Sequence, residues 1–413
     1  MGEYPILDGL DVSGKRVLVR ADYNVKVKDG KIKDDTRIRE SLNTINYLTQ
    51  HGAKVIIMAH LGRPQEELAE GKSIEDVKRS STLAPVAAHL ENLIRKEVSL
   101  VPDCIGSEVE KRVRTMQNGD VLMLENLRLH SEEEANDPKF AQSLANLCDM
   151  YVFDGFGVSH RAHASTAGVP LYMIEQGKPI AAGFLMDKEL RLWSEARARE
   201  GYKLLVIGGA KLEEKTKAVD KLAPKVSSVL VGGAVYNIIR AGSGINIGDS
   251  LVTDGDENYV SRGKELATKS SNLILPERVV IARKSDYGDI KKIDIKQGVP
   301  EGYMIADMAI DDKIKTEIAK AQVIIWFGNI GMSDLDVNGS FPFAKGTSDF
   351  RDAISPNAYV IVGGGDSVTA AKGLANVHIS TGGGASIQLY TKGKLDALEA
   401  LKGNVAYFAK PKK

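Results

Sequence analysis

The chain has 413 residues, 43% of them apolar and 27% charged, and its 55 lysines and arginines balance its 55 aspartates and glutamates. At roughly 150 residues per domain, this length predicts two or three domains that each bury a core. The ordinary apolar fraction excludes a wholly disordered chain, and the zero net charge argues against a protein that wraps nucleic acid through excess cations.

The first half of the chain alternates short apolar segments with amphipathic ones. Strands are predicted, in chain order, at residues 16–21, 53–60, 98–103, 121–126 and 150–155. After the first strand, residues 36–52 predict a helix because four apolar residues fall on one face: Ile38, Leu42, Ile45 and Leu48. The strands are nearly continuous in apolar character, which is typical of parallel strands covered on both faces.

The second half repeats this alternation after a segment that carries Gly and Pro. A helix with Met186, Leu190 and Trp193 on one face follows residue 180, and we place the domain junction at residues 180–200. An ordinary helix inside one domain fits this pattern equally well. Further strands are predicted at residues 203–209, 227–233, 273–282, 323–328, 359–365 and 377–384.

This alternation predicts an α/β protein with two doubly wound, Rossmann-like parallel-sheet domains joined by a hinge helix. The predicted domains are residues 1–179 and 201–397, on either side of the hinge region 180–200. We expect the C-terminal tail, residues 398–413, to pack back on the first domain.

The residues that follow each strand are the candidates for a site, because ligands of open parallel sheets bind outside the carboxyl ends of the strands. In the first half these residues, with Arg37 at the start of the first helix, are mostly polar and cationic: Arg20, Asp22, Asn24, Arg37, His60, Arg63, Glu125, Asn126, Arg128, Asp154, His160, Arg161 and His163. Guanidinium groups bind phosphate and carboxylate oxygens in bidentate fashion, so the set suits a small anionic substrate. A single surface arginine is more often a solvated side chain, and it is the repetition that favours a site.

The second half presents glycine at the same positions. Gly-Gly pairs and triplets follow four strands: Gly208 and Gly209, Gly232 and Gly233, Gly363 to Gly365, and Gly382 to Gly384. Such loops let backbone N–H groups approach phosphate oxygens at a helix N-terminus, whereas any one pair alone is more typical of a tight turn. Lys211 and Lys215 share a helical face and would place two cations near the same anion. Asp366 is a candidate ligand for Mg²⁺, which prefers carboxylate and phosphate oxygens.

Two negative observations narrow the chemistry. Neither a Walker P-loop nor a GxGxxG motif occurs, and His160 and His163, whose spacing permits a metal, are accompanied by no HExxH or neighbouring cysteine. Cys104 and Cys148 form no CxxC pair, so the sequence indicates neither a disulfide framework nor a structural zinc site. The residues alone therefore indicate one half that binds a small anion and one that binds a phosphate-bearing nucleotide, with phosphoryl transfer between them.

Eight segments carry a specific resemblance, in this order along nearly the whole chain: RADYNVK (20–26), HLGRP (60–64), LENLRLHSEEEAN (124–136), DGFGVSHRAHAST (154–166), GGAKLEEK (208–215), FAKGT (343–347), VGGGDS (362–367) and HISTGGGAS (378–386). The chain resembles the phosphoglycerate kinase family. This resemblance implies reversible transfer of the γ-phosphoryl group of MgATP to the carboxylate of 3-phosphoglycerate, giving 1,3-bisphosphoglycerate and ADP. It also implies closure of two domains about the helix near residue 187.

The resemblance assigns roles by position in these motifs. Asp22, Asn24, Arg37, His60, Arg63, Arg128 and Arg161 would bind the phosphoglycerate. Arg37 and Lys211 would stabilise the transferring phosphoryl group, with the amides after Gly364 and Gly383 near the phosphates. The nucleotide site would comprise Gly208, Gly209, Lys211, Lys215, Gly232, Gly233, Asn329, Asp334, Gly363, Gly364, Gly365, Asp366 and Ser367, with Mg²⁺ on Asp366.

The chain departs from the family pattern around WFGNIGM (326–332). Phe327 stands where the family has asparagine near the phosphates, and Asn329 where it has proline beside the adenine. The acid that contacts the ribose would be Asp334 or Asp336. This departure leaves a second hypothesis open, a protein that binds nucleotide or phosphoglycerate without catalysis, although the presence of both Arg37 and Lys211 favours the enzyme.

Composition and the lack of long apolar runs predict the partners and the location of the protein. We expect small-molecule ligands and no nucleic acid, because aromatic residues make up only 6% of the chain and no aromatic-basic motif occurs. No apolar run approaches the roughly 20 residues that cross a bilayer, and acids occupy the N-terminal segment where a signal peptide carries cations. We therefore expect a cytoplasmic monomer without a membrane partner.

Overall fold

Two six-stranded parallel sheets organise the chain. The structure, a computed structural model, describes residues 4–252 and 258–408, apart from the side chains of Asp366 and Val405 and the surroundings of Gly365. The chain divides into two units: unit 1 is Met1–Trp193 with Gly384–Lys413, and unit 2 is Ser194–Gly383. The predicted α/β fold class with two parallel sheets is confirmed.

The sheet of unit 1 has the order β5-β6-β4-β1-β7-β8 and is parallel throughout. The strands of this unit are β1 (Arg16–Ala21), β2 (Val27–Lys28), β3 (Lys31–Ile32), β4 (Lys54–Met58), β5 (Val98–Leu100), β6 (Val121–Met123), β7 (Met150–Asp154) and β8 (Ile180–Ala182), of which β2 and β3 form a separate hairpin. Residues of β1 and β7 are buried on both faces of the sheet, which explains their continuous apolar character.

The helices of this part of the chain are α1 (Thr36–Glu40), α2 (Leu42–Gln50), α3 (Pro64–Ala69), α4 (Ile74–Ser81), α5 (Ala84–Ile94), α6 (Ser107–Thr115), α7 (Ser131–Ala135), α8 (Pro138–Ala145), α9 (Val169–Glu175) and α10 (Phe184–Ala198). Short 3₁₀ turns lie at Leu127–Leu129 and Phe156–Val158, and a π-helical turn at Ala164–Gly168. The helix predicted over residues 36–52 is two helices. The Ser41 hydroxyl and amide both bond to the carbonyl of Ile38, at 2.8 and 3.2 Å, and this local bonding interrupts the helical ladder.

The sheet of unit 2 has the order β11-β10-β9-β15-β16-β17 and is also parallel. The strands of unit 2 are β9 (Lys203–Ile207), β10 (Ser228–Val231), β11 (Leu273–Ile274), β12 (Arg278–Arg283), β13 (Lys291–Asp294), β14 (Tyr303–Met308), β15 (Val323–Phe327), β16 (Tyr359–Gly363) and β17 (Val377–Ser380). Its helices are α11 (Leu212–Leu222), α12 (Gly233–Gly242), α13 (Tyr259–Lys269), α14 (Asp312–Ala319), α15 (Lys345–Asp352) and α16 (Gly365–Ala370), with 3₁₀ turns at Ala223–Lys225 and Ile295–Gln297.

The strand predicted over residues 273–282 is wrong as a single element. Pro276 divides it, because proline lacks the N–H that a sheet ladder needs. The part before it is β11, at the edge of the parallel sheet. The part after it is β12, which lies between β13 and β14 in a separate antiparallel sheet that the sequence did not predict.

The last helices of the chain belong to unit 1, whereas the sequence assigned residues 384–397 to the second domain. These helices are α17 (Gly384–Lys392), α18 (Asp396–Leu401) and α19 (Val405–Phe408). The Ala397 amide donates to the Ser159 carbonyl at 2.9 Å, and the Tyr390 ring contacts Trp193 edge-on with centroids 6.1 Å apart. Every residue of α18 is buried, so this segment is part of the core of unit 1. Residues 409–413 of the predicted tail lie outside the described residues.

Helix α10 lies at the division between the units, which falls between Trp193 and Ser194. Met186, Leu190 and Trp193 are buried, so the predicted apolar face is confirmed. The start of α10 is fixed to the end of β7 by Asp154, whose carboxylate accepts the amides of Leu185 and Met186 at 2.9 and 3.2 Å. Among residues 4–252 and 258–408, none of the helices combines the length and the apolar character of a membrane span.

Candidate active site

The polar residues that follow the strands of unit 1 meet at one edge of its sheet. The carboxylate of Asp22, just beyond β1, accepts a hydrogen bond of 3.0 Å from the Arg37 guanidinium. The same guanidinium donates to the Asn24 carbonyl at 3.2 Å, and the Asn24 side chain accepts the Gly62 amide at 2.9 Å. The Gly62–Asn24 bond joins the loops after β1 and β4. The bonds to Asp22 and Asn24 hold Arg37 in place, and about a third of the Arg37 side chain stays exposed.

Three of the predicted arginines line one cavity of about 170 Å³, together with Glu66 and Glu134. Arg128 is almost fully buried and donates to the Gly62 carbonyl at 2.9 Å. Its Nε lies 3.1 Å from the carboxylate of Glu134, and Arg63 lies 3.0 Å from that of Glu66. Burial lowers the pKa of Arg128 to about 10, so the group is still charged at neutral pH. The cavity is thus a cationic pocket in which two arginines are already paired with carboxylates; Arg161 completes its lining.

His60 lies beside this pocket and is neutral. Burial lowers its pKa well below the usual value, and the charges of Arg20 and Arg128 lower it further. Its Nδ1 is 3.3 Å from a guanidinium nitrogen of Arg20. A guanidinium can only donate, so Nδ1 accepts and the ring proton is on Nε2, where it is available as a donor.

Arg20, one of the predicted polar residues after the strands, belongs to a buried network whose other members, Ser165 and Glu133, were not predicted. Arg20 donates to the Ser165 hydroxyl at 2.7 Å, and Ser165 donates to the Glu133 carboxylate at 2.5 Å. Glu133 is fully buried, 3.9 Å from Arg20, and also accepts the Ser165 amide at 2.9 Å. The carboxylate thereby balances a buried guanidinium. The run Glu132 to Glu134 resembles a solvated helical face, so no sequence signal separates Glu133 from its neighbours.

In the part of the chain that the structure describes, one group of side chains has ligand atoms close enough together to hold a metal ion. The group whose ligand atoms all lie within 4.8 Å of one another is Asp103, Cys104 and His130. His130 and Asp103 form a hydrogen bond of 2.7 Å, and burial raises the pKa of the Cys104 thiol, so that the thiol stays protonated and is a poor ligand. The side chain of Asp366, the predicted Mg²⁺ ligand, lies outside the described residues.

The glycine loops of unit 2 also meet at one edge of a sheet, but their contacts differ from the prediction. The amides of Gly208 and Gly209 donate to the carbonyls of Phe327 and Asn329 at 2.9 and 2.8 Å. Those of Gly232 and Gly233 donate to other backbone carbonyls at 2.7 and 2.9 Å. All four amides therefore donate to backbone carbonyls within unit 2. A Cβ on Gly208 would collide with the Asn329 carbonyl, so the glycine is needed for close packing of two loops.

The segment after β15 is held by its neighbours. The Gly328 amide donates to the fully buried Ser367 hydroxyl at 2.7 Å, and the Trp326 indole donates to the Gly328 carbonyl at 2.9 Å. Asn329 is 5% exposed, and its side-chain oxygen has no hydrogen-bond partner among the described residues. Asp334, a few residues further, is exposed.

The two predicted lysines lie one turn apart on the same face of α11. Lys211 is the exposed N-cap residue of this helix, and the Lys215 amide donates to its carbonyl at 3.1 Å. The Lys215 ammonium lies over the ring of Phe327, 5.5 Å from the centroid. Gly363 ends β16, Gly364 is the N-cap of α16, and Gly365 and Asp366 begin that helix. Gly383 is the last residue of unit 2, after β17.

Comparison with known proteins decides the family. A family model described as phosphoglycerate kinase matches residues 7–394. The chain belongs to the phosphoglycerate kinase family. It is 41% identical over 407 residues to the phosphoglycerate kinase of Synechococcus sp. (strain JA-3-3Ab), covering 95% of this chain and 96% of that one. It is 40% identical over 412 residues to that of Moorella thermoacetica, covering 97% and 98%.

Solved structures agree with this membership. The phosphoglycerate kinase of Pyrococcus horikoshii superposes with a TM-score of 0.79 at 28% identity, over 97% of this chain and 99% of that one. The enzyme of Coxiella burnetii gives a TM-score of 0.73 at 31% identity, with the same coverage. The resemblance read from the eight motifs is confirmed, and the protein is a phosphotransferase of the phosphoglycerate kinase family.

Proposed function

We propose that unit 1 of this phosphoglycerate kinase binds 3-phosphoglycerate and that unit 2 binds MgATP, with the phosphoryl group passing between them. The observation that carries this assignment is the cationic pocket lined by Arg63, Arg128 and Arg161. A molecule with one phosphate and one carboxylate suits this pocket, because both groups accept the paired donors of a guanidinium.

The remaining polar residues of unit 1 complete the phosphoglycerate site. Asn24 and Asp22 hold the loop and Arg37, and His60 offers its Nε2 proton to a substrate oxygen. The attacking group is the carboxylate of phosphoglycerate, which is ionised at neutral pH. The reaction therefore needs no general base, and catalysis rests on positioning and on the stabilisation of charge.

The nucleotide occupies the edge of unit 2 formed by the glycine loops. Lys215 and the segment Gly363 to Ser367 contact its phosphates, Gly208, Gly209, Gly232 and Gly233 line the pocket through their packed loops, and Asn329 and Asp334 lie toward the nucleoside. Asp366 would hold Mg²⁺ together with phosphate oxygens of the nucleotide, and the bound ion would supply positive charge against the negative charge that develops during transfer. Arg37 and Lys211, with the amides after Gly364 and Gly383, stabilise the phosphoryl group in transit.

Three further expectations belong to the same proposal. Because the two sets of residues lie on different units, the units must close for an in-line transfer, with α10 as the hinge. The enzyme acts as a monomer on small molecules, without nucleic-acid partners. Its place is the cytoplasm.

A coupled assay of ATP consumption that depends on 3-phosphoglycerate and Mg²⁺ tests the proposal. We expect Lys211→Ala to lower kcat by at least about 100-fold with little change in KM, since the cation acts mainly in the transition state. Lys217→Ala is the matched control, because Lys217 is exposed on the same helix and forms an ion pair with Glu213.

Two results would contradict these roles. An equal loss of kcat and of MgATP affinity in Lys211→Ala would make Lys211 a ground-state ligand. Tight binding of both ligands in calorimetry, without any turnover, would favour a protein that binds them and does not catalyse transfer.

A further inference from the structure

Asn126 is a fully buried side chain beside the cationic pocket, and the proposed mechanism leaves it without a role. It follows β6 and is the N-cap residue of the 3₁₀ turn that carries Arg128. Because β6 pairs with β4 in the sheet, this turn lies next to the loop after β4, which carries His60 and Arg63. Asn126 is therefore placed where two groups of proposed phosphoglycerate ligands meet.

The Asn126 side chain uses both of its donors and both acceptor positions of its oxygen. The Oδ1 atom accepts the amide of Leu61 at 3.3 Å and that of Arg128 at 3.0 Å. The Nδ2 atom donates to the carbonyl of Leu61 at 2.7 Å and to that of Ser81, the last residue of α4, at 2.8 Å. One side-chain amide thus joins the loop after β4, the end of α4 and the turn at Arg128.

The position of Asn126 is itself fixed by the preceding residue, Glu125. One carboxylate oxygen of Glu125 accepts the amides of Asn126 and Leu83, both at 2.8 Å. The other oxygen accepts the Thr82 hydroxyl at 2.6 Å. A shift of Asn126 would leave several buried polar groups without partners, and each such group costs free energy. The position of the side-chain amide is therefore rigid.

A second bond connects the same two segments. Leu61 lies between His60 and Gly62, and the Gly62 carbonyl accepts the Arg128 guanidinium at 2.9 Å. The turn at Arg128 is thus tied to the loop after β4 both through its backbone, by Asn126, and through its guanidinium. Two attachments fix the spacing and the orientation of the segments, because a single bond would let one rotate about the other.

We infer that Asn126 is a positioning residue that sets the spacing between the loop after β4 and Arg128, and thereby the length of the substrate that unit 1 accepts. This inference rests on the proposed binding of 3-phosphoglycerate by unit 1. The carboxylate and the phosphate of this substrate lie at opposite ends of a three-carbon chain. Donors held at one spacing favour that chain over a shorter or longer one, whereas mobile donors adapt to each.

Asn126→Asp tests this role, because the carboxylate has the shape of the amide but lacks both donors. Asn126→Ala, which introduces no buried charge, is the second variant, so that a loss of folding in one does not decide the outcome. Calorimetry gives the Kd values for 3-phosphoglycerate, for 2-phosphoglycolate, which is one carbon shorter, and for 4-phosphoerythronate, which is one carbon longer. We expect the Kd for 3-phosphoglycerate to rise about tenfold. The Kd values of the other two acids should rise less, so that discrimination falls by about three- to tenfold.

Asn272→Asp is the matched control in unit 2. The Asn272 Nδ2 atom donates to the carbonyls of Ala223 and Val226 at 3.0 and 3.1 Å, so the substitution removes two bonds of the same kind away from the phosphoglycerate site. It should leave the Kd values of all three acids unchanged. In the Asn126 variants, the Kd for MgADP should likewise stay constant, because unit 2 is unaltered.

Arg128→Ala separates this inference from the proposed function, and we expect it to raise the Kd for 3-phosphoglycerate at least about tenfold. If it left that Kd unchanged, the proposed phosphoglycerate site would fail and the inference with it. If Arg128→Ala weakens binding as expected, two results would overturn the role of Asn126 alone. One is an equal loss of affinity for the three acids, which would make Asn126 a support of the fold only. The other is an unchanged Kd for 3-phosphoglycerate in a folded Asn126 variant.

Discussion

At the scale of single residues, the cationic pocket contains its own competing anions. Arg128 is paired with Glu134 and Arg63 with Glu66, so in the proposed site these carboxylates compete with phosphoglycerate for the positive charge of the arginines. We predict that Glu134→Gln lowers the Kd for 3-phosphoglycerate by about two- to fivefold, because a half-exposed ion pair of this kind contributes up to roughly 1 kcal/mol. Isothermal calorimetry with the unmodified chain as reference measures this change.

A control for Glu134 exists in the same unit. Glu110→Gln removes an exposed carboxylate that is paired with Arg114 on α6, and it should leave the affinity unchanged. A weaker binding of phosphoglycerate by Glu134→Gln would mean that Glu134 aligns Arg128 for the substrate, and would reverse the sign of the prediction.

Residue patterns predicted the arginines that line the pocket, but not the buried residues that hydrogen-bond behind them. Arginines after strands are visible because the carboxyl edge of a parallel sheet is a known place for ligands. Glu133 and Ser165 were missed because burial, and not residue type, makes them important. The hydrogen bonds of the Gly208 and Gly232 amides were not visible for a similar reason: glycine permits close approach, but the sequence does not say whether a phosphate or another backbone approaches.

At the scale of elements, the side chain that links β7 to α10, Asp154, is a buried carboxyl group. Burial raises the pKa of this carboxyl to about 7, against roughly 3.9 in an unfolded chain. Between these values the folded chain holds a proton that the unfolded chain has lost, so the free energy of unfolding falls as the pH rises from about 4 to 7. Asp154→Asn keeps an oxygen acceptor and cannot ionise. We predict that its stability relative to the native chain improves by on the order of 2 kcal/mol between pH 5 and pH 8.

Denaturant unfolding of the ligand-free protein at several pH values measures this difference. Asp149→Asn is the contrasting variant, because the hydrogen bonds from Arg16 hold the pKa of Asp149 below its usual value. The stability that Asp149 contributes is present above about pH 4 and lost in stronger acid. The destabilisation caused by Asp149→Asn should therefore be constant from pH 5 to pH 8. A flat difference for Asp154→Asn as well would show that Asp154 does not titrate in this range.

Elements were predictable where local pattern and position agree. The parallel strands of both sheets follow from apolar runs, whereas β13 and β14, which pair with β12 in a separate antiparallel sheet, were not predicted as strands. The split at Pro276 was visible in principle, since proline cannot continue a ladder. The membership of residues 384–397 in unit 1 was not visible in the sequence, because it depends on contacts such as that between Ala397 and Ser159.

At the scale of the whole molecule, the proposed mechanism requires motion of one unit toward the other. Arg37 belongs to unit 1 and Lys211 to unit 2, and in the proposed mechanism both act on the same phosphoryl group. We predict that 3-phosphoglycerate and a non-hydrolysable MgATP analogue, added together, lower the radius of gyration in small-angle X-ray scattering toward about 22 Å, the value for one compact body of this length. Each ligand alone should have a smaller effect, because neither alone bridges the units. The same scattering data should give a monomer mass near 44.7 kDa. An unchanged radius at saturation with both ligands would exclude closure, and the transfer would then need a geometry that the units already have.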